Sequence, residues 1–203
     1  RLTAMPLPAA VESRGLLAGK RGLIMGVAND HSIAWGIAQA AHRAGAELAF
    51  TFQGEAFERR VRPLAESVGA PVIAPCDVED RASLDAVFAA LGETWGGLDF
   101  VVHAIAYSDR DALKGRYVDT SADNFTRTLL ISCYSFTAIA QRAALLMRDG
   151  GSLLTLSFDG SKPTLRSRNS FHSESENAAR PAASVGSTSR FESWISRNVS
   201  MPK

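Results

Sequence analysis

The sequence has 203 residues, of which 46% are hydrophobic, and its 22 basic and 21 acidic side chains give a formal net charge of +1. A chain of this length and apolar content can build one domain with a substantial core, which argues against two full domains. The near-neutral charge argues against nucleic acid or an anionic membrane as the main partner, and no uninterrupted apolar run approaches the roughly 20 residues that span a bilayer.

Three zones differ in composition. Residues 1–15 are expected to be a loosely ordered leader that makes a poor signal peptide. Residues 16–160 alternate apolar runs with helical patterns, whereas residues 161–203 form a tail rich in Ser and Arg, with little apolar surface to offset ordering entropy. This tail is either disordered or an altered reading of the gene's normal end. Cys76 and Cys133 lie in separate apolar segments and are expected to be buried, reduced thiols in a cytosolic protein.

The middle zone repeats a strand–helix unit. Apolar runs predict strands at residues 23–27, 47–52, 71–76, 99–105 and 152–158, and helical patterns predict helices at 32–44, 55–68, 80–95 and 121–147. This alternation is typical of an α/β fold with a parallel sheet covered by helices on both faces. Right-handed crossovers favour a Rossmann-type doubly wound sheet of order 3-2-1-4-5, here truncated after the fifth strand.

The turn after the first strand is rich in small residues and begins at Gly26. A glycine there lets the backbone approach a pyrophosphate, and the helix that follows offers free N–H donors and the positive end of its dipole. Ser32 is a candidate N-cap of that helix, and His31 is interpreted as a turn residue. An ordinary strand–helix turn without a ligand remains the alternative.

The ends of the next three strands carry polar residues. Gln53 is neutral and can bind a ribose hydroxyl, which favours NADH over NADPH, although a solvent-exposed strand end is the alternative. Asp77 can accept a hydrogen bond from an adenine amine, cap the next helix, or do both. His103 has apolar neighbours, which indicates a hydrogen-bonded core histidine rather than an acid–base catalyst.

Several segments occur together in a recognisable order. They are Gly26 to Gly36, Glu47 to Gln53, Cys76-Asp77-Val78, Phe100 to Ile105, Gly115 to Val118, Ile131 to Phe136 and Leu153 to Phe158. Over about residues 16–160 the chain therefore resembles the NADH-dependent enoyl-acyl-carrier-protein reductases of bacterial fatty-acid synthesis, a divergent group of short-chain dehydrogenases/reductases.

The resemblance implies a role for particular residues and no metal site. Gly26, Ser32 and Ile33 would line the pyrophosphate and ribose, Gln53 would face the adenosine ribose, Asp77 and Val78 would flank adenine, Ile105 would lie near the nicotinamide-side ribose, and Ser108 would lie beside the acyl substrate. It also implies reduction of trans-2-enoyl thioesters carried by acyl carrier protein, a cytoplasmic location and a homotetramer.

The sequence departs from the family after the fifth strand. The family places an aromatic residue, usually tyrosine, just after that strand and then a tyrosine followed seven positions later by a lysine. Here Phe158 stands first, and no tyrosine follows Tyr134. No residue is therefore assigned as catalytic, and turnover is expected to be weak or lost. The alternatives are a non-catalytic NADH-binding module and another short-chain reductase that acts on a ketone or sugar.

Overall fold

The computed structural model describes residues 15–113 and 116–157. Five strands form one parallel sheet, namely β1 (Arg21–Met25), β2 (Glu47–Phe52), β3 (Ile73–Pro75), β4 (Phe100–His103) and β5 (Ser152–Thr155). Their order is β3-β2-β1-β4-β5, which confirms the predicted Rossmann-type topology. Phe158, the last residue of the predicted fifth strand, lies outside the described residues.

Within residues 15–113 and 116–157, five α-helices connect and cover these strands. They are α1 (Ile33–Arg43), α2 (Gly54–Ser67), α3 (Arg81–Trp95), α4 (Ala122–Leu129) and α5 (Ser135–Leu146), with a short 3₁₀ helix at Tyr117–Asp119. A π-helical segment, Leu130–Tyr134, separates α4 from α5. The prediction of one regular helix over residues 121–147 is therefore wrong at Leu130–Tyr134.

The core has two layers, one on each face of the sheet. Alternate residues of a strand point to opposite faces, so Leu23 joins the layer under α3 and α5 while Ile24 joins the layer under α1 and α2. Val101 and Val102 divide in the same way on β4. Burial on both faces explains why these strands read as continuous apolar runs.

The fifth strand differs from the others because it lies at an edge of the described sheet. Ser152, Leu153 and Thr155 are exposed and Leu154 is only half-buried. This strand is therefore more exposed than its apolar run indicates. In the part of the chain that the structure describes, β4 is the one strand with which it pairs.

The cysteines differ in exposure. Cys76 is buried, and burial raises the pKa of its thiol to about 11. Cys133 is exposed on the π-helical segment, so the expectation that both thiols are buried is wrong for this residue. Both are free thiols.

The helical segment Ala122–Leu146 is long and apolar enough to span a membrane by length and composition alone. Its Ile139 and Ala143 are nevertheless fully buried in the layer that also contains α3. Arg142, in the same segment, forms an ion pair with Asp85 of α3, with 2.7 Å between Nε and Oδ1. One side of the segment therefore packs against the domain, as a core helix does.

Candidate functional site

A cleft of about 430 Å³ opens where the carboxyl ends of β1, β2, β3 and β4 meet. It is lined by Gly26, Val27, Ala28, Thr51, Phe52, Gln53, Phe57, Cys76, Asp77, Val78, Glu79, Ala104, Ile105, Ala106, Tyr107, Arg127 and Ile131. Five residues that the sequence predicts for the site lie together here, namely Gly26, Gln53, Asp77, Val78 and Ile105. Ser32, Ile33 and Ser108 are not among the lining residues.

Glycine is required at position 26 because two stretches of backbone lie very close together there. Its φ is +91°, and a Cβ atom there would lie 2.1 Å from the carbonyl oxygen of Ala104. From the sequence, this glycine is expected to let the backbone approach a pyrophosphate. The structure gives a different sufficient reason, because the end of β1 must pass the backbone that follows β4.

The turn before α1 is held by Ser32, whose backbone is at the N-cap position but whose side chain does not cap the helix. Its hydroxyl donates to the carbonyl of Asn29 at 2.6 Å and accepts from the N–H of Ala28 at 3.4 Å. Ile33 begins the helix and is 70% exposed. His31 is exposed and donates its backbone N–H to the side chain of Asn29, as expected of a turn residue.

Gln53 follows β2 at the N-cap position of α2, and its side chain does not cap that helix. A neutral amide at this position can bind ribose hydroxyls. The two nearby cations, Arg59 and Arg60, are not among the residues that line the cleft. Arg59 instead forms an exposed ion pair with Glu55, with 3.4 Å between Nη2 and Oε2.

Asp77 lines the cleft and is fixed by its neighbours. Its Oδ1 accepts from the N–H of Glu79 at 2.9 Å, and its own N–H donates to the hydroxyl of Ser83 at 2.9 Å. The cap of α3 is Asp80, which accepts from the N–H of Ala82. The helix-cap alternative for Asp77 is therefore wrong.

The loop after β4 separates two predicted residues. Ile105 lines the cleft and packs against the layer under α3 and α5. The hydroxyl of Ser108 accepts from the side-chain amide of Asn124 at 3.3 Å, and the same amide accepts from the N–H of Asp109 at 2.9 Å. Asn124 therefore anchors this loop to α4.

His103 is buried and hydrogen-bonded at both ring nitrogens, as the sequence predicts. The hydroxyl of Ser135 donates to the carbonyl of Ile131 at 2.6 Å, so it accepts from Nε2–H of His103 at 2.7 Å. Nδ1 then accepts from the hydroxyl of Thr155 at 3.1 Å. Burial holds the pKa of His103 below its usual 6.5, so the ring is neutral and joins β4, β5 and α5.

Glu79, Tyr107 and Arg127 also line the cleft and were missed by sequence reasoning. Glu79 directly follows Asp77 and Val78 at a strand end, and this position was the available signal for it. Arg127 contacts a residue 48 positions away, and no local pattern reveals such a pairing.

Comparisons with known proteins agree with this geometry. The family model described as enoyl-(acyl carrier protein) reductase matches residues 26–175, beyond the end near residue 160 that the sequence suggested. The chain belongs to this family.

The relatives it matches include an NADH-dependent enoyl-acyl-carrier-protein reductase 2 of Rhizobium meliloti, which is 63% identical over 72% of this chain and 55% of the relative. Among solved structures, the reductase of Anaplasma phagocytophilum in complex with NAD is 57% identical, with a TM-score of 0.71, over 74% of this chain and 57% of that one. FabI of Candidatus Liberibacter asiaticus is 55% identical, also with a TM-score of 0.71, over 74% and 58%. The chain thus spans little more than half the length of these relatives.

Proposed function

We propose that this chain binds NADH in the cleft and supplies the cofactor-binding part of an enoyl-acyl-carrier-protein reductase. The observation that carries the proposal is the meeting of Gln53, Asp77, Val78 and Ile105 in one cleft, in a chain of this family. The names of the relatives specify NADH, and one neighbouring structure contains NAD.

The residues of the cleft suit the parts of a dinucleotide. The Asp77 carboxylate accepts from the adenine amine, while Val78 and Ile105 offer apolar surface to the rings. Gln53 binds the hydroxyls of the adenosine ribose. The turn beginning at Gly26 and the start of α1, at Ser32 and Ile33, line the pyrophosphate. The N–H of Ile33 is the backbone donor there, because the N–H of Ser32 already donates to the carbonyl of Asn29 at 3.2 Å. Ser108, on the anchored loop, is the proposed contact to the acyl substrate.

The reaction proposed for the whole protein is reduction of a trans-2-enoyl thioester, with acyl carrier protein as the partner. NADH supplies the hydride, and negative charge develops on the thioester oxygen. That charge needs hydrogen-bond donors already in place. No tyrosine follows Tyr134 in this sequence, and Phe158 has no hydroxyl. Loss of one such donor lowers turnover by roughly a hundred- to thousandfold, and this observation favours a non-catalytic NADH-binding module as the second candidate.

Titration of the chain with NADH, followed by nicotinamide fluorescence, tests the proposal. Addition of crotonyl thioester, with absorbance of the reduced nicotinamide recorded, then measures turnover. We expect saturable binding that Ile105→Glu abolishes and Leu113→Glu, outside the cleft, leaves unchanged. Binding without oxidation supports the module, whereas rates typical of the family would contradict the interpretation of the tail. Absence of binding would contradict the cofactor assignment.

We also propose that the chain assembles with copies of itself, as a homotetramer. Exposed apolar residues of α4 and the π-helical segment form a shallow groove lined by Thr126, Leu129, Leu130, Cys133, Tyr134 and Thr137. The same helix face of a second copy, related by one of the two-fold axes of the tetramer, would cover it. Light scattering tests this: Leu130→Glu should lower the molar mass and Leu16→Glu should not, and an unchanged mass in Leu130→Glu would refute the assignment.

The remaining assignments are proposals of the same kind. Residues 16–160 are proposed as the dinucleotide-binding domain, residues 1–15 as a leader and residues 161–203 as a tail. The two free thiols support a cytoplasmic location, because oxidising compartments favour disulfides. Neither nucleic acid nor a membrane is proposed as a partner.

A further inference from the structure

Arg127, on α4, reaches into the wall of the cleft and contacts the loops that follow both β3 and β4. Its guanidinium binds the Glu79 carboxylate in a two-pronged arrangement, with Nε 3.0 Å from Oε1 and Nη2 2.9 Å from Oε2. Its Nη1 donates to the hydroxyl of Tyr107 at 3.2 Å. One side chain therefore ties together two loops that lie on different parts of the sheet.

On the β3 side, this contact reaches Asp77. Arg127 fixes the side chain of Glu79, and the backbone N–H of Glu79 donates to Oδ1 of Asp77 at 2.9 Å. A shift of Glu79 would therefore move the carboxylate assigned to adenine.

On the β4 side, the contact holds Tyr107, two residues after Ile105. The Arg127 guanidinium carbon lies 4.8 Å from the centre of the Tyr107 ring, and the ring hydroxyl donates in turn to Asp109. The Tyr107 peptide is also held, because its N–H donates to the Ser132 hydroxyl at 3.0 Å and its carbonyl accepts from that hydroxyl at 3.3 Å. The loop is thus attached to α4 and the π-helical segment at both its side chain and its backbone.

We propose that Arg127 is a positioning residue for the dinucleotide, and this inference rests on the proposed binding of NADH. By joining Glu79 and Tyr107, it sets the distance between the adenine contacts, Asp77 and Val78, and the nicotinamide-side contact, Ile105, before the cofactor arrives. Because the wall is already ordered, the binding of NADH does not have to offset the conformational entropy that ordering the wall would cost. Only arginine offers a planar fork for a carboxylate together with a face that stacks on a ring.

The charge balance of the wall supports the same role. Without Arg127, the Glu79 carboxylate would lose its ion-pair partner, and the Tyr107 hydroxyl that donates to Asp109 would lose the hydrogen bond it accepts from the guanidinium. A carboxylate without a counterion in the wall repels a nearby pyrophosphate. The side chain of Arg127 is 49% exposed, and exposed ion pairs add little to stability. Removing it should therefore affect cofactor binding far more than folding.

The test compares NADH dissociation constants and dissociation rates for the full chain and three variants. Arg127→Met should weaken NADH binding about tenfold, mainly by faster dissociation, with a melting temperature close to the original. Arg127→Lys, which keeps the charge but not the fork, should recover only part of the affinity. The matched control is Arg116→Met, because Arg116 forms a comparable two-pronged pair with Asp119, at 2.8 and 2.9 Å, and does not line the cleft. Its affinity should equal that of the original chain.

Amide hydrogen exchange without cofactor provides a readout independent of NADH. The N–H groups of Glu79 and Tyr107 should exchange faster in Arg127→Met and at the original rate in Arg116→Met. Unchanged NADH affinity in Arg127→Met, full affinity in Arg127→Lys, or an equal loss in Arg116→Met would each overturn the positioning role. If the original chain fails to bind NADH, the proposed function fails first and the positioning role with it, which distinguishes the two failures.

Discussion

Gly26 and Gly36 stand at the two ends of one sequence motif but meet opposite constraints. Gly26 has a positive φ and faces a backbone oxygen, whereas a Cβ atom at Gly36, inside α1, would have nothing within 4 Å. Alanine restricts the unfolded chain and favours helix by about 0.5–1 kcal/mol over glycine. We expect Gly36→Ala to raise the free energy of unfolding in urea by about that amount, and Gly26→Ala to lower it. A destabilised Gly36→Ala variant would contradict this account.

The lowered pKa of His103 should make the stability of the folded chain depend on pH. Its pKa lies below the usual 6.5 in the folded protein because burial disfavours the charged ring. The unfolded chain therefore binds the proton more readily than the folded one. The contribution of His103 to the free energy of unfolding is thus fully present above about pH 6.5 and declines as the pH falls below that value. Melting temperatures from pH 8 to pH 5 should show this decline. His103→Gln should be less stable at pH 8 and should lose less between pH 6.5 and 5; parallel profiles would refute the argument.

The sequence identified some site residues and not others for a physical reason. Gln53, Asp77 and Ile105 follow strands directly, and parallel strands bring their carboxyl ends to one edge of the sheet. Their meeting in the cleft could therefore be predicted from chain order alone. Arg127 could not, because its role depends on contacts with Glu79 and Tyr107 that only the folded chain creates.

Among the elements, the helix pattern over residues 121–147 shows the limit of periodicity. The apolar spacing is helical throughout, yet the segment Leu130–Tyr134 is π-helical. There Ser132 binds the peptide of Tyr107, and Ser135, just beyond, binds both Ile131 and His103. Because the bonds to Tyr107 and His103 are tertiary, periodicity does not reveal the extra residue in the turn.

The strand β5 carries a prediction about aggregation. It lies at an edge of the described sheet, and Leu153 is 38% exposed. Exposed apolar edge strands pair with other chains, and a lysine on such a strand opposes this pairing. We expect the chain to form larger assemblies with time at micromolar concentration, and Leu153→Lys to slow their growth without lowering the melting temperature. Light scattering measures both chains, and equal growth in the variant would contradict the role of this edge.

For the molecule as a whole, topology was the most predictable feature. Strand–helix alternation together with right-handed crossovers leaves few arrangements, and the observed order is the predicted one. The exposure of β5 does not follow from its apolar run, because Leu153 and Leu154 have the same apolar character whether or not a neighbour covers the strand. The departure from the family pattern after residue 160 was the available signal for an uncovered outer edge. The cleft proposed to bind NADH is formed by β1, β2, β3 and β4, which are the better-predicted strands of the sheet.

NADH is proposed to bind between the carboxyl ends of β1, β2, β3 and β4. Methyl NMR spectra of the chain, recorded while NADH is added, test it directly because each wall of the cleft carries a methyl probe. We predict saturable shifts of the Val78 and Ile105 methyl signals, with those of Leu16 and Leu113 unchanged. Unshifted Val78 and Ile105 signals at millimolar NADH, or shifts confined to residues outside the cleft, would contradict it.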